Sequence, residues 1–283
     1  MEKPNTIANK SVATLAAKAF ASANRFSFGA LFGGETEKIL SHLKFSQRLL
    51  LKTDPIALRQ KNQLSKERSV RDESKLNNEL REFYPKQLMA IYHQIRASVP
   101  LMEVARSECR RLAAEGDPVA ELLIDYWDQH IIEETGHDEW VLQDLEILGI
   151  PRKETILTLP PKAIAAFVGP QYYWIFHCHP VALLGYCFAL ENYASDMNEV
   201  KDLEQRTGYP TEAFRTYRGH AEADVHHRRE LLEFMGRLPL NEWQERLIIK
   251  SALYTLRGYG LMISSAYLLD KNSAGSWDFT EEE

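Results

Sequence analysis

Only three cysteines, Cys109, Cys178 and Cys187, are spread through 283 residues. That is too few for a disulfide framework and points to a reducing compartment, so the cytoplasm is the expected location. No run of about 18 apolar residues occurs, and no membrane-spanning helix is expected. A long Lys/Arg stripe is also missing and the net charge is −6, which argues against a nucleic-acid partner. Neither β alternation nor an internal repeat is visible. Acidic residues are absent between Lys3 and Gly34, where "SVATLAAKAFASANRFSFGALFGG" is rich in Ala, Ser and Phe. This stretch lacks the continuous apolar core of a secretory signal. It reads as a loosely docked extension, with a targeting segment as the alternative.

What is present is helical text. The chain is 45% hydrophobic and 26% charged, enough for a sizeable core. Residues 1–75 are expected to be an extension: an irregular arm, a short amphipathic helix over 35–51, and a charged, apolar-poor linker over 58–78. From there to 272 the periodicity predicts an all-α bundle of about seven core helices, followed by a tail over 273–283. Pro85 and Pro100 are expected to interrupt its first part. A helix is expected over about 118–148, closed by Gly149-Ile150-Pro151. Thr211 is a candidate N-cap for the helix carrying "GHAEADVHHRRELLE", residues 219–233.

That last helix raises the chemical question. At about 100° per residue, Asp224 lies about 40° from His220 and His227 about 20° to its other side. Tyr217, Leu231 and Met235 share their face, while Arg218, Glu222, Arg229 and Glu233 lie opposite. A carboxylate and two imidazoles inside an apolar stripe need partners, because an unpaired buried charge costs several kcal/mol. A metal ion would meet that need. In "HIIEETGHDEW", Glu134 and His137 form E-x-x-H, so both leave one helix face, with Glu133 about 100° away. His130 and Asp138 flank that face as supporting partners or alternative ligands. Glu191 stands alone in "LLGYCFALENYAS", the most apolar helix. It is either a core Glu with a polar partner or a ligand.

Together, Glu134, His137, Glu191, His220, Asp224 and His227 offer three carboxylates and three imidazoles. A nitrogen–oxygen set without cysteine suits iron or manganese, with zinc an option. Six ligands exceed the four of a structural zinc and fit two metals.

In its order of E-x-x-H, a lone Glu on an apolar helix, then H-x-x-x-D-x-x-H, the chain resembles the haem-oxygenase-like di-iron oxidases. These share a superfamily with the TenA thiaminases and pyrroloquinoline-quinone synthase. "IIEETGHDEWVLQDLEILG" and "HPVALLGYCFALE" support the resemblance, which covers roughly residues 80–270. It implies a haem-oxygenase-like bundle, two irons, ferrous chemistry with O2, and a small carboxylate-bearing substrate such as an amino acid or fatty acid. Desaturation, C–C cleavage and N-oxygenation are the outcomes it implies. By the same resemblance, Glu134 and His220 would serve one iron and His137, Asp224 and His227 the other, with Glu191 between them. An external electron donor is left open.

Arg228, at about 80° from His220, is the candidate for a substrate carboxylate, and Tyr217 and Tyr92 are candidate pocket residues. Each also has a plain structural reading, as a snorkelling cation or core aromatics. "YYWIFHCHP", residues 172–180, reads as aromatic packing before a helix start, with extra ligands as the alternative. The competing function is a metal-independent member of the same fold, a TenA-type hydrolase or cofactorless oxidase, for which Cys187 would be the nucleophile. Dimers are the commonest soluble assembly, so a homodimer is the assembly to test.

Overall fold

Two prolines sit inside helices that run straight through them. The computed structural model describes residues 73–192 and 195–268, with the side chain of Asp224 outside the described part. Helix α1 spans Glu73–Ile95 and contains Pro85. Proline lacks an N–H, so the carbonyl four residues back loses its helical donor. For Pro85 that carbonyl is Arg81 O, which accepts a hydrogen bond from the Tyr209 hydroxyl at 3.1 Å. Helix α6, Lys162–His177, contains Pro170. Its orphaned carbonyl, Ala166 O, accepts from the Tyr254 hydroxyl at 2.8 Å. The interruption expected at Pro85 is therefore absent. Pro100 falls in the first turn of α2, Ser98–Ala114, where no N–H partner is needed.

The remaining helices are α3 Pro118–Glu134, α4 His137–Ile147, α5 Arg152–Leu157, α7 Ala182–Asn192, α8 Met197–Thr207, α9 Arg215–Met235 and α10 Glu242–Ser264. Short 3-10 turns cover Thr211–Phe214 and Ser265–Leu268. The described residues thus form an all-α bundle without strands, as expected. Their ten α-helices exceed the expected seven core helices partly because the helix expected over 118–148 is two. Thr135 turns extended and Gly136 takes φ 94°, a left-handed conformation that only glycine adopts without strain. No described helix is long and apolar enough to cross a membrane. Apart from its last residues, the expected 1–75 extension lies outside the described residues, as does the 273–283 tail.

The core joins α1, α4, α8 and the Thr211–Phe214 turn through Tyr84, Leu88, Tyr92, Leu145, Val200 and Phe214. Tyr84 stacks on Phe214 with centroids 4.6 Å apart, and its hydroxyl donates to Ala213 O at 2.8 Å. Helix α7 is buried along nearly its whole length and packs along α10. Gly185 makes that contact close: a Cβ there would sit 2.2 Å from Ile248 O and 2.8 Å from Ala252 N. Helix α9 packs on α4, α7 and α8, so its inner face meets the helices carrying His137 and Glu191.

Candidate metal centre

The start of α9 is held from another helix. The buried Asp144 carboxylate, on α4, accepts the backbone N–H of Arg215 at 3.0 Å and of Thr216 at 2.9 Å. These are orphan donors of a helix N-terminus. Thr211, the expected cap, instead opens the 3-10 turn before α9. One turn into α9, His220 Nδ1 lies 2.8 Å from Thr216 O. A carbonyl only accepts, so Nδ1 carries the proton and Nε2 is left as a lone-pair donor. Metal-binding histidines are commonly oriented this way.

His220 Nε2 faces a group made by α3 and α4. Glu134, His137 and His220 each offer a ligand atom, all within 4.8 Å of one another. Glu134 ends α3 and His137 begins α4, so the turn at Thr135–Gly136 brings them together rather than a continuous helix face. His137 Nδ1 lies 3.1 Å from Glu134 Oε2. The His137 and His220 rings meet edge to face at 4.9 Å. Trp140 packs on His137 at 4.0 Å, in space kept open by Gly219, whose Cβ would lie 2.5 Å from the indole. Burial alone would raise the Glu134 carboxyl. Its hydrogen bond to His137 and the charges of His137, His220 and His130 outweigh that and hold it at about 2. Burial lowers His220, which keeps the imidazole neutral. An ionised carboxylate beside the His220 imidazole offers two ready metal donors.

A second group lies one turn back along α3. His130, Cys187 and Glu191 are all buried and likewise offer ligand atoms within 4.8 Å of one another. His130 Nε2 lies 3.1 Å from Glu191 Oε1, and its Nδ1 lies 3.3 Å from Glu133 Oε2. The ring stacks on Tyr126 at 5.4 Å, which stacks in turn on Phe234 at 4.4 Å. Burial lowers His130, but its hydrogen bonds to Cys187 and Glu191 outweigh that and raise it, favouring the imidazolium. Glu191 Oε2 is buried and has no hydrogen-bond partner among the described residues. That orphaned oxygen and the poised His220 Nε2 fit a cation of the kind the donor chemistry suggests.

His227 joins the second group. Its ring lies 5.7 Å from His130, and its Nε2 is 3.8 Å from Glu133 Oε2. Asp224 lies on α9 between the two histidines, but its side chain is outside the described residues. Glu133 does not point away from the centre, as its phase on a continuous helix implied; it contacts both His130 and His227. His130, read as a flanking residue, is central. Its four-residue spacing from Glu134 was the available signal, and Cys187 bears the same spacing to Glu191. Asp144 and Trp140 had no signal in the sequence.

The substrate candidates are placed differently. Tyr92 is part of the core cluster. Tyr217 packs against the same cluster and its hydroxyl accepts from Gln87 Nε2 at 2.6 Å. Arg228 is half-buried on α9 and makes no hydrogen bond or ion pair with the described residues. Arg218, on the opposite face of α9, is clasped by Glu204 at 2.5 and 2.8 Å. The "YYWIFHCHP" stretch ends α6, and its His179 is a staple. Val181 N–H donates to His179 Nδ1 at 3.0 Å, so Nε2–H points to Asp117 Oδ2 at 3.2 Å. Asp117 also caps α3 through the N–H groups of Val119 and Ala120.

A helical bundle that buries imidazoles against carboxylates from facing helices can hold a metal between them. Residues 108–260 match the family described as iron-containing redox enzymes, and the chain belongs to that family. The matched span holds every residue of both groups. Among solved structures, the chain is similar to a domain of unknown function with a haem oxygenase-like fold from Shewanella denitrificans OS217. The TM-score is 0.59 at 14% identity, covering 98% of this chain and 100% of that one. The fold is therefore the haem-oxygenase-like bundle that the sequence led us to expect. No curated protein matches the chain.

Proposed function

We propose that this iron-family protein is an O2-dependent oxidoreductase holding two irons and acting on a small carboxylate-bearing metabolite, an amino acid or a fatty acid. Desaturation, C–C cleavage and N-oxygenation are the reactions in view. The observation that carries this reading is the pair of donor groups one helical turn apart on α3, Glu134–His137–His220 and His130–Cys187–Glu191. Bound ferrous iron would supply the electrons that O2 activation needs. Manganese and zinc are substitutes that the nitrogen and oxygen donors would accept.

The chain's own residues do the rest. Glu134 is ionised at neutral pH, so it offers charge without first losing a proton. The Thr216 carbonyl fixes the His220 tautomer. Trp127, Leu184 and Phe188 are fully buried near these groups and keep water from them. Arg228 follows His227 directly and is the cation for a substrate carboxylate. An external electron donor, a cytoplasmic setting, a homodimer and no nucleic-acid partner complete the proposal.

Anaerobic loading with Fe(II), iron counting, and O2 uptake with a panel of amino and fatty acids test it. Two irons per chain are expected in the wild type. Glu134→Gln and His220→Ala should each lose at least one. Uptake of O2 should rise with one class of acid, and Arg228→Gln should raise KM for that acid with kcat little changed. A wild-type chain that takes up no iron would sink the reading. Burial of Cys187 raises its thiol to about 11, which disfavours a nucleophilic role in the metal-free alternative.

A further inference from the structure

The second donor group contains sulfur, and sulfur changes which metal it selects. Cys187 and Glu191 are one turn apart on α7, so both face α3. Ligand atoms of Cys187, His130 and Glu191 all lie within 4.8 Å of one another, and Glu191 Oε1 lies 3.1 Å from His130 Nε2. His130 Nδ1 faces the Glu133 carboxylate at 3.3 Å. A carboxylate behind a histidine, with the other ring nitrogen aimed at a further donor pair, is the usual support of a metal-bound imidazole. Glu191 is 8% exposed and its Oε2 has no partner among the described residues. Buried carboxylate oxygens ordinarily have a partner.

The geometry points to a mixed-donor metal position built by the Cys187 thiolate, His130 Nε2 and the Glu191 carboxylate, with Glu133 holding the far side of the His130 ring. The inference rests on the two-metal reading above and deepens it: the two positions are chemically unlike. Glu134, His137 and His220 form a nitrogen–oxygen set. The second position adds a soft thiolate and so favours Fe(II), Co(II) or Zn(II) over hard ions such as Mg(II) or Mn(II). Binding a divalent ion forms the S–metal and N–metal bonds. The thiol proton and the His130 Nε2 proton leave to solvent, with no change of oxidation state.

Anaerobic titration of the full chain with Co(II) tests this, because thiolate–cobalt bonds give an intense near-ultraviolet charge-transfer band that nitrogen and oxygen donors do not. The wild type should develop the band to saturation. Cys187→Ser should lose it entirely while keeping the weaker visible absorption of cobalt at the Glu134 group. Cys178→Ser, altering the exposed cysteine, should keep the band in full. If Cys187→Ser fails to fold, as judged by its helical circular dichroism, X-ray absorption at the cobalt edge of the wild type decides. Sulfur in the coordination shell supports the inference, and a shell of nitrogen and oxygen alone overturns it. Two cobalt ions bound without the band overturn the mixed-donor position and leave the two-metal reading intact, whereas a single cobalt without the band overturns both. No cobalt bound at all overturns both.

Discussion

At the scale of single residues, the fold depends on polar groups that satisfy one another across long stretches of chain. Tyr209 and Tyr254 each donate to a carbonyl that a helix-internal proline has deprived of its partner. Removing either hydroxyl leaves that carbonyl short of a donor, so Tyr209→Phe and Tyr254→Phe should each lower stability by about 1 kcal/mol in urea unfolding. The loss from Tyr209→Phe should shrink in a Pro85→Ala background, where the restored N–H can bond Arg81 O. An unchanged loss there would show that the hydroxyl acts in some other way. None of this was legible beforehand. Pro85 was visible and its consequence was read as a break, because the compensating hydroxyl sits more than 120 residues away in sequence. The phase of His220 and His227 was legible, since helical rotation depends only on neighbours within two turns.

Helices set the next scale, because each donor is only as well placed as the element beneath it. Asp144 on α4 fixes the first turn of α9 and, through Thr216, the His220 ring. Asp144→Ala should cost about 2 kcal/mol of stability and weaken iron binding, read by calorimetry and by chelator competition. Asp144→Asn, which keeps one acceptor, should retain part of both. Stability lost with unchanged iron affinity would separate the cap from the site. On α7, Gly185 faces backbone atoms of α10 that cannot swing away. Gly185→Ala should therefore destabilise by roughly 1–3 kcal/mol, visible as a lower Tm. The sequence marked α7 as the most apolar helix, and so placed Glu191 in a buried setting. It could not say that Glu191 meets His130, because no local pattern encodes which face of α3 lies opposite α7.

For the whole molecule, acid should favour the open chain over the packed state by titration of histidines outside the donor groups. Burial lowers His93 to about 4 from 6.5, with the Arg96 charge adding to the effect. Burial also lowers His179, against a smaller opposing pull from Asp117. Both favour the neutral ring when folded. The stability they contribute is complete above pH 6.5 and drains away as pH falls through the lowered values. For His93 the full loss is on the order of 2–3 kcal/mol, spread between pH 6.5 and 4. Urea midpoints should fall across that window, and His93→Leu should flatten part of the fall. A slope unaltered in that variant would remove His93 as its source. The all-α class and haem-oxygenase-like bundle were legible at this scale from periodicity and motif order, whereas the division of the 118–148 stretch hinged on the unread dihedral of one glycine.

That glycine has a further consequence. Glu134 closes one rod and His137 opens the next, so their separation is governed by the torsions of the Thr135–Gly136 joint and not by helical pitch. Such a joint works like the pivot of a pair of calipers. The bite of this donor pair can be widened or narrowed by a few degrees of rotation while Glu191 and His227, carried on other rods, keep their places. No side chain crowds the pivot, since a Cβ at Gly136 would meet nothing within 4 Å. Chirality alone guards the setting, and an L-residue at this point would change the gauge of the Glu134–His137 pair without touching either side chain.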